Sequence, residues 1–253
     1  MQIKGNTFVV TGGASGLGEQ AVRDLVAQGA NVIIMDINHA RAELLIKELG
    51  SQVYSHGITD TTSESLVNEA LDGGIANFPG SALVGAILCG GILSPKKDQE
   101  GYGPDGKLTS YSQFKHIVTV NLFGTYNVAQ QVSQRMLNNE EMGADKERGV
   151  IITVSSICGL DGIIVAYGTS KAAIAGLTLP LARELADHGI RVMNIAPGPF
   201  NTPILKTTDI VAPHCLFPRR NGESSEFSKL VLNIIDTPML NGSIIRLDGA
   251  LRT

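Results

Sequence analysis

Short apolar runs, too brief to be helices, recur along this chain, and each is followed by a stretch whose apolar residues return every three to four positions. The runs are Thr7–Val10, Asn31–Met35, Ala82–Leu88, Val150–Ser155, Ile190–Ala196 and Ser243–Leu247. Between them Glu19–Gln28, Ala40–Leu49, Leu66–Phe78, Phe114–Leu137, Ala166–His188 and Glu226–Ile235 read as helices, several closed by a glycine. Strands apolar on both faces must be covered on both faces, and helices between successive strands make those strands parallel. With right-handed crossovers the expectation is an α/β fold: a single Rossmann-type, doubly wound parallel sheet of about seven strands with helices on both faces. The 253 residues suit one domain, 1–253, large enough to bury a core without a disulfide or a structural metal.

Composition removes several classes of function. Cys89, Cys158 and Cys215 are too scattered for a disulfide framework or a zinc site, and the five histidines lack paired metal-ligand spacing, so no metal is expected. The net charge is −4, and the one basic cluster, Arg219-Arg220, falls far short of a nucleic-acid footprint. No apolar run approaches the ~20 residues of a membrane span. Met1–Gly5 leads straight into a strand, which leaves no room for a cleavable leader and points to the cytoplasm, with the mitochondrion as the alternative. Two segments break the alternation, near 94–112 and 199–225. Both follow strands at the carboxyl edge of the sheet and read as substrate loops.

The first strand runs into Thr11-Gly12-Gly13-Ala14-Ser15-Gly16-Leu17-Gly18. Glycines let a backbone turn tightly against a pyrophosphate, and the helix behind them presents unpaired N–H groups and a partial positive charge. Gly12, Ser15, Gly16, Leu17 and Gly18 are therefore candidate dinucleotide contacts. Asp36 closes the second strand, where a carboxylate can accept hydrogen bonds from ribose hydroxyls and repel a 2′-phosphate. That selects NAD over NADP, with Arg41 the nearest cation that could oppose the choice. Asp60, after the third strand, is either a contact to the adenine amino group or a helix cap.

Tyr167 and Lys171 stand four apart at the start of a helix and so share a face. A phenol with its usual pKa of ~10 is a poor acid or base at neutral pH, and a nearby ammonium together with a cationic nicotinamide would bring it down. Such a tyrosine exchanges a proton with an alcohol oxygen as a hydride leaves or arrives.

The glycine turn, Asp36, Asp60, Asn121, Ser156, Tyr167-x3-Lys171 and Pro197-Gly198 lie in the order found in the short-chain dehydrogenase/reductase family, and the chain resembles that family over almost its whole length. The resemblance implies that Ser156 bonds the substrate oxygen, Tyr167 is the general acid/base, and Lys171 holds the nicotinamide ribose and tunes Tyr167. It implies that Asn121 holds a water in the relay to Lys171, that Cys89, Gly91, Pro197 and Gly198 line the cofactor, and that Thr202 meets the carboxamide. Two features depart from the pattern. Ser156 precedes Tyr167 by 11 positions where the family has 13, which places a two-residue shortening in Asp161–Val165 and keeps Ser155 as the alternative serine. Leu88 stands where the family has Asn, with the loss of a side-chain hydrogen bond beside the cofactor.

Arg148–Ile152, Gly176–Arg183, Gly189–Met193 and Leu240–Ala250 resemble one branch, the type II 3-hydroxyacyl-CoA dehydrogenases (also called 17β-hydroxysteroid dehydrogenases type 10). That branch implies NAD-dependent oxidation of 3-hydroxyacyl-CoA or related secondary alcohols by a homotetramer. The altered loop Ile204–Leu216, with Pro213-His214-Cys215, favours a rival reading as reductase of a small, steroid or secondary-metabolite ketone. Lys96, Lys97 and Arg219-Arg220 are candidate CoA-phosphate contacts or solvated loop charges. A nucleotide-binding scaffold that lost catalysis is disfavoured, because Tyr167 and Lys171 are both retained.

Overall fold

In strand β1 (Thr7–Thr11) Phe8 and Val10 point to one face and Val9 to the other, and all three are fully buried. The pattern repeats in β2 (Asn31–Asp36), β4 (Leu83–Leu88), β5 (Gly149–Val154) and β6 (Ile190–Pro197), whereas β3 (Val53–Ile58) and β7 (Ile244–Leu247) are half-exposed. The computed structural model describes residues 2–93, 108–206 and 215–252. The seven strands among these residues are all parallel, as the alternation predicts, and lie in the order β3-β2-β1-β4-β5-β6-β7.

Helices α1 (Gly16–Ala27), α2 (His39–Leu49) and α9 (Ser224–Asp236) bury their apolar stripes against Phe8, Val10, Val32 and Ile34. On the opposite face α3 (Glu64–Asn77), α5 (Gly124–Met136) and α7 (Val165–Leu185) cover Val9, Ile33, Met35 and Ile151. Each fully buried Leu, Ile or Phe contributes about 1.5–3 kcal/mol, so the two layers supply the main driving force for folding. A buried ion pair between Arg191 and Glu147 closes the far end: the same guanidinium also donates to the carbonyls of Ile234, Ile235, Thr237 and Leu240 where α9 stops.

Three elements differ from the sequence reading. Helix α1 begins at Gly16, because the second half of the glycine turn is already its first turn. The span Phe114–Leu137 is not one α-helix: α4 (Tyr111–Val118) and α5 are joined by a π turn at Thr119–Phe123, within which Asn121 is buried. A short helix α6 (Ile157–Leu160), capped by the Ser156 side chain, separates β5 from α7. The chain leaves β1 toward β2 on one side, and β4 lies on the other, so a crevice opens at the carboxyl ends of β1 and β4, where such sheets bind ligands.

Candidate active site

The carboxyl edge carries a cavity of about 1100 Å³, larger than the ~300–1,000 Å³ of most small-molecule sites and roomy enough for two reactants. Every residue expected to hold the cofactor or take part in the chemistry lines it except Asn121, which is fully buried. At one end α1 points its N-terminus into the space. Ser15 is extended there (φ −156°) and its hydroxyl caps no backbone N–H, so the first-turn donors have no side-chain acceptor. A Cβ on Gly18 would collide with the Gly12 carbonyl, which is why the turn and the helix can pack this closely. Thr202 packs beside Gly16, and a Cβ at Gly16 would lie 3.4 Å from it.

Asp36 is oriented before any ligand arrives: one carboxylate oxygen accepts from Ala14 N at 3.0 Å and the other from Asn38 N at 2.8 Å. Arg41 is turned to Glu19, at 2.7 Å, and the same carboxylate holds Arg23 at 2.9 Å. Asp60 caps the turn at Thr62 rather than helix α3, whose cap is Ser63, and its carboxylate stays on the cavity rim. The asparagine missing at Leu88 is offset by Thr11, whose hydroxyl accepts from Gly90 N at 3.0 Å and ties the end of β1 to the turn after β4. This cradle of backbone donors, small residues and one fixed carboxylate fits a dinucleotide.

At the other end β5 delivers two serines with different surroundings. Ser155 is 2% exposed and donates to Asn194 Oδ1, whose amide in turn donates to Thr153 Oγ1 at 2.8 Å. Ser156 takes the N-cap of α6, accepts from Cys158 N at 3.1 Å and interacts with the Tyr167 phenol. Ser155 is thus spent on the sheet, and Ser156 is the serine that meets Tyr167.

Lys171 is 4% exposed; its Nζ donates to Val154 O at 2.9 Å and sits 5.8 Å from the centre of the Tyr167 ring. Burial pushes Lys171 down to about 8, only partly opposed by Cys89 and Cys158. Burial also pushes Tyr167 above its ordinary value, Cys158 adds to the rise, and the hydrogen bond with Ser156 works against it. The expected lowering of the phenol is therefore not achieved by the protein's own groups, because its burial outweighs the hydrogen bond with Ser156. A phenol raised above its ordinary value is protonated at neutral pH.

Asn121 Oδ1 accepts from Ile92 N at 2.7 Å, while Nδ2 donates to Ile92 O at 3.0 Å and to Ser170 Oγ at 2.9 Å. Ser170 in turn donates to Tyr167 O at 2.7 Å. One amide therefore joins the segment after β4 to the second turn of the tyrosine helix. Gly91 lies between Asn121 and Lys171: a Cβ there would be 3.1 Å from Asn121 Oδ1 and 3.2 Å from Lys171 Nζ.

The sequence reading missed Ile92, Leu93, Ile163, Ile164 and Leu251, which give the substrate end apolar walls. Of the basic candidates for a phosphate, Arg219 is exposed, Arg220 is engaged by Glu226 at 2.8 Å, and Lys96 and Lys97 lie outside the described residues, as does His214 of the altered loop.

Residues 6–210 match the family model described as short chain dehydrogenase. The chain belongs to the short-chain dehydrogenase family. It is accordingly an oxidoreductase acting on CH–OH groups. Among its relatives in the family, human 3-hydroxyacyl-CoA dehydrogenase type-2 is 40% identical over 258 residues, covering 99% of this chain and 96% of that protein. Ipsdienol dehydrogenase of Ips pini is 38% identical over 260 residues, covering 100% and 99%. The crystal structure of 3-hydroxyacyl-CoA dehydrogenase type-2 from Mycobacterium avium superposes with a TM-score of 0.89 at 34% identity, covering 100% of this chain and 98% of that one. Among the described residues no helix is long and apolar enough to cross a membrane.

Proposed function

We propose that this short-chain dehydrogenase uses NAD to interconvert a secondary alcohol and a ketone, with 3-hydroxyacyl-CoA and 3-oxoacyl-CoA as the leading pair. The observation that carries this reading is a single cavity shared by the glycine turn and Asp36 at one end and Ser156, Tyr167 and Lys171 at the other. Gly12, Ser15, Gly16, Leu17 and Gly18 would hold the pyrophosphate. Asp36 would take the adenosine ribose, with Asp60 near the adenine. Cys89, Gly91, Pro197, Gly198 and Thr202 would line the nicotinamide half. NAD is preferred to NADP because the Asp36 carboxylate is fixed by two amides and Arg41 is paired with Glu19.

NADH, held by these residues, would supply the hydride. Ser156 holds the ketone oxygen by a hydrogen bond, and the protonated Tyr167 gives that oxygen its proton as the carbon is reduced. Lys171, charged below about pH 8, stabilises the phenolate left behind. A water held between Asn121 and Lys171, which both lie beside Gly91, would replace the proton. Oxidation of the alcohol runs these transfers backwards.

The apolar walls at Ile163, Ile164 and Leu251 favour a second reading, in which the substrate is a hydrophobic ketone without CoA. NADH-linked turnover of acetoacetyl-CoA set against a panel of simple and polycyclic ketones tests both: absence of turnover on every substrate removes the function, and the ratio of kcat/KM values chooses between the two. A homotetramer also belongs to this reading. Phe123 and Tyr126, and Val165 and Leu179 on α7, are exposed apolar residues on the helices expected to pair subunits. A monomeric mass in light scattering would exclude it.

A further inference from the structure

The connection from Ser156 to Tyr167 has to turn the chain from α6 into α7 in very few residues. Gly162 takes φ +76°, and Ile164, at the N-cap of α7, takes φ 59° with ψ 97°. A left-handed φ is rare for a β-branched side chain and persists only where the surroundings impose it. Here they do so from three sides. Ile163 N donates to Cys158 O at 2.9 Å and Gly168 N to Ile164 O at 2.6 Å. The Ile163 carbonyl lies so close over α7 that any Cβ at Gly168 would collide with it. Asp161 receives both arms of the Arg246 guanidinium at 2.7 Å each, and Arg246 also holds Asp248 at 2.6 Å and Leu251 O at 2.9 Å. One arginine on β7 therefore ties the connection to the segment that carries Leu251. Leu251 lines the same cavity as Ile163 and Ile164.

We propose that Ile163 and Ile164 form a rigid, size-limiting wall at the substrate end of the cavity. Ile164 determines specificity, and Arg246 is a positioning residue that fixes the wall through Asp161. The wall rests on the dehydrogenase reading above and deepens it. It admits a secondary alcohol or ketone whose flanking substituent is an unbranched, apolar chain, and it rejects branched or ring-bearing substituents. A β-branched pair in an over-determined backbone cannot swing aside as a single flexible side chain would.

The test uses the full-length protein with NADH and a graded series of methyl ketones bearing linear, isopropyl and cyclohexyl substituents. Both kcat/KM and calorimetric binding to the protein–NADH mixture are measured. In Ile164→Gly the branched-to-linear ratio of kcat/KM rises by about tenfold or more, the scale on which a hydrophobic pocket discriminates bulk. Its melting temperature holds or rises, since glycine adopts this φ freely. Ile163→Ala gives a smaller rise in the same ratio. Arg246→Lys loosens the ratio while the KM for NADH stays unchanged. An unchanged ratio in both isoleucine variants overturns the wall. A uniform loss across all ketones in Arg246→Lys overturns the positioning role. Graded binding without turnover of any ketone overturns the dehydrogenase reading and leaves the wall standing, whereas neither binding nor turnover overturns both.

Discussion

The two ends of the cavity are built by different means. At the cofactor end Gly12–Gly18, Asp36 and Asp60 come from the first 60 residues, and the hydrogen bonds that fix Asp36 and Asp60 come from donors no more than 22 positions away. At the substrate end each wall is held from far away: Asp161 by Arg246 across 85 positions, Asn121 by Ser170 across 49, Ser155 by Asn194 across 39. A site made of local turns tolerates change elsewhere in the chain. A site made of long-range clamps can be retuned by substitutions that never touch the substrate.

The largest break in that comparison should come from the residue proposed as proton donor. Tyr167→Phe is expected to lower kcat by about 10²–10⁴-fold with NADH binding retained, as fluorescence titration beside steady-state rates would record. Ser156→Ala should follow, with kcat down roughly 10²-fold for loss of a hydrogen-bond donor to the substrate oxygen. Its neighbour separates chemistry from clamping: Ser155→Ala leaves a buried Asn194 acceptor without its donor, so thermal unfolding should show a loss of about 1–3 kcal/mol while kcat changes little. If Ser155→Ala proves the more damaging to kcat, the two serines have been assigned the wrong way round.

Asp36→Asn probes the local end. Removing the charge should reduce the preference for NAD over NADP by roughly tenfold, the value of one charge-assisted hydrogen bond, and the ratio of kcat/KM for the two cofactors reads it directly. A further effect falls on stability rather than on turnover. Lys171 is held at about 8 in the fold against 10.5 for the free side chain. Below pH 8 the buried ammonium is charged in both states and costs the fold stability; between about 8 and 10.5 the unfolded chain binds the extra proton, so that cost is relieved as pH rises. Melting curves across pH 7–10 should therefore show a rising contribution that Lys171→Met abolishes, and Lys171→Met should melt higher than the parent at pH 7.

The strands were legible because apolar residues on both faces of a short run admit few folds, and the glycine turn because steric need and position coincide. Tyr167 and Lys171 were legible as a pair one helical turn apart. Their titration was not, because desolvation depends on what covers them. Nothing in Val120-Asn121-Leu122 distinguishes a π turn from an α-helix, so the long helix was read through. Asp161 and Arg246 have no local signature at all, and neither does the left-handed backbone of Ile164, which a β-branched residue would not suggest. Lys96, Lys97 and His214 lie outside the described residues.

Asn121 gives its amide to Ile92 and Ser170, so it is needed for the architecture whether or not a hydride ever moves. A lineage that drifted away from catalysis would shed Tyr167 freely but would still be selected to keep this asparagine. Under the proposed mechanism, a retained Asn121 in a related sequence would mark inheritance, and a retained Tyr167 with Lys171 would mark use.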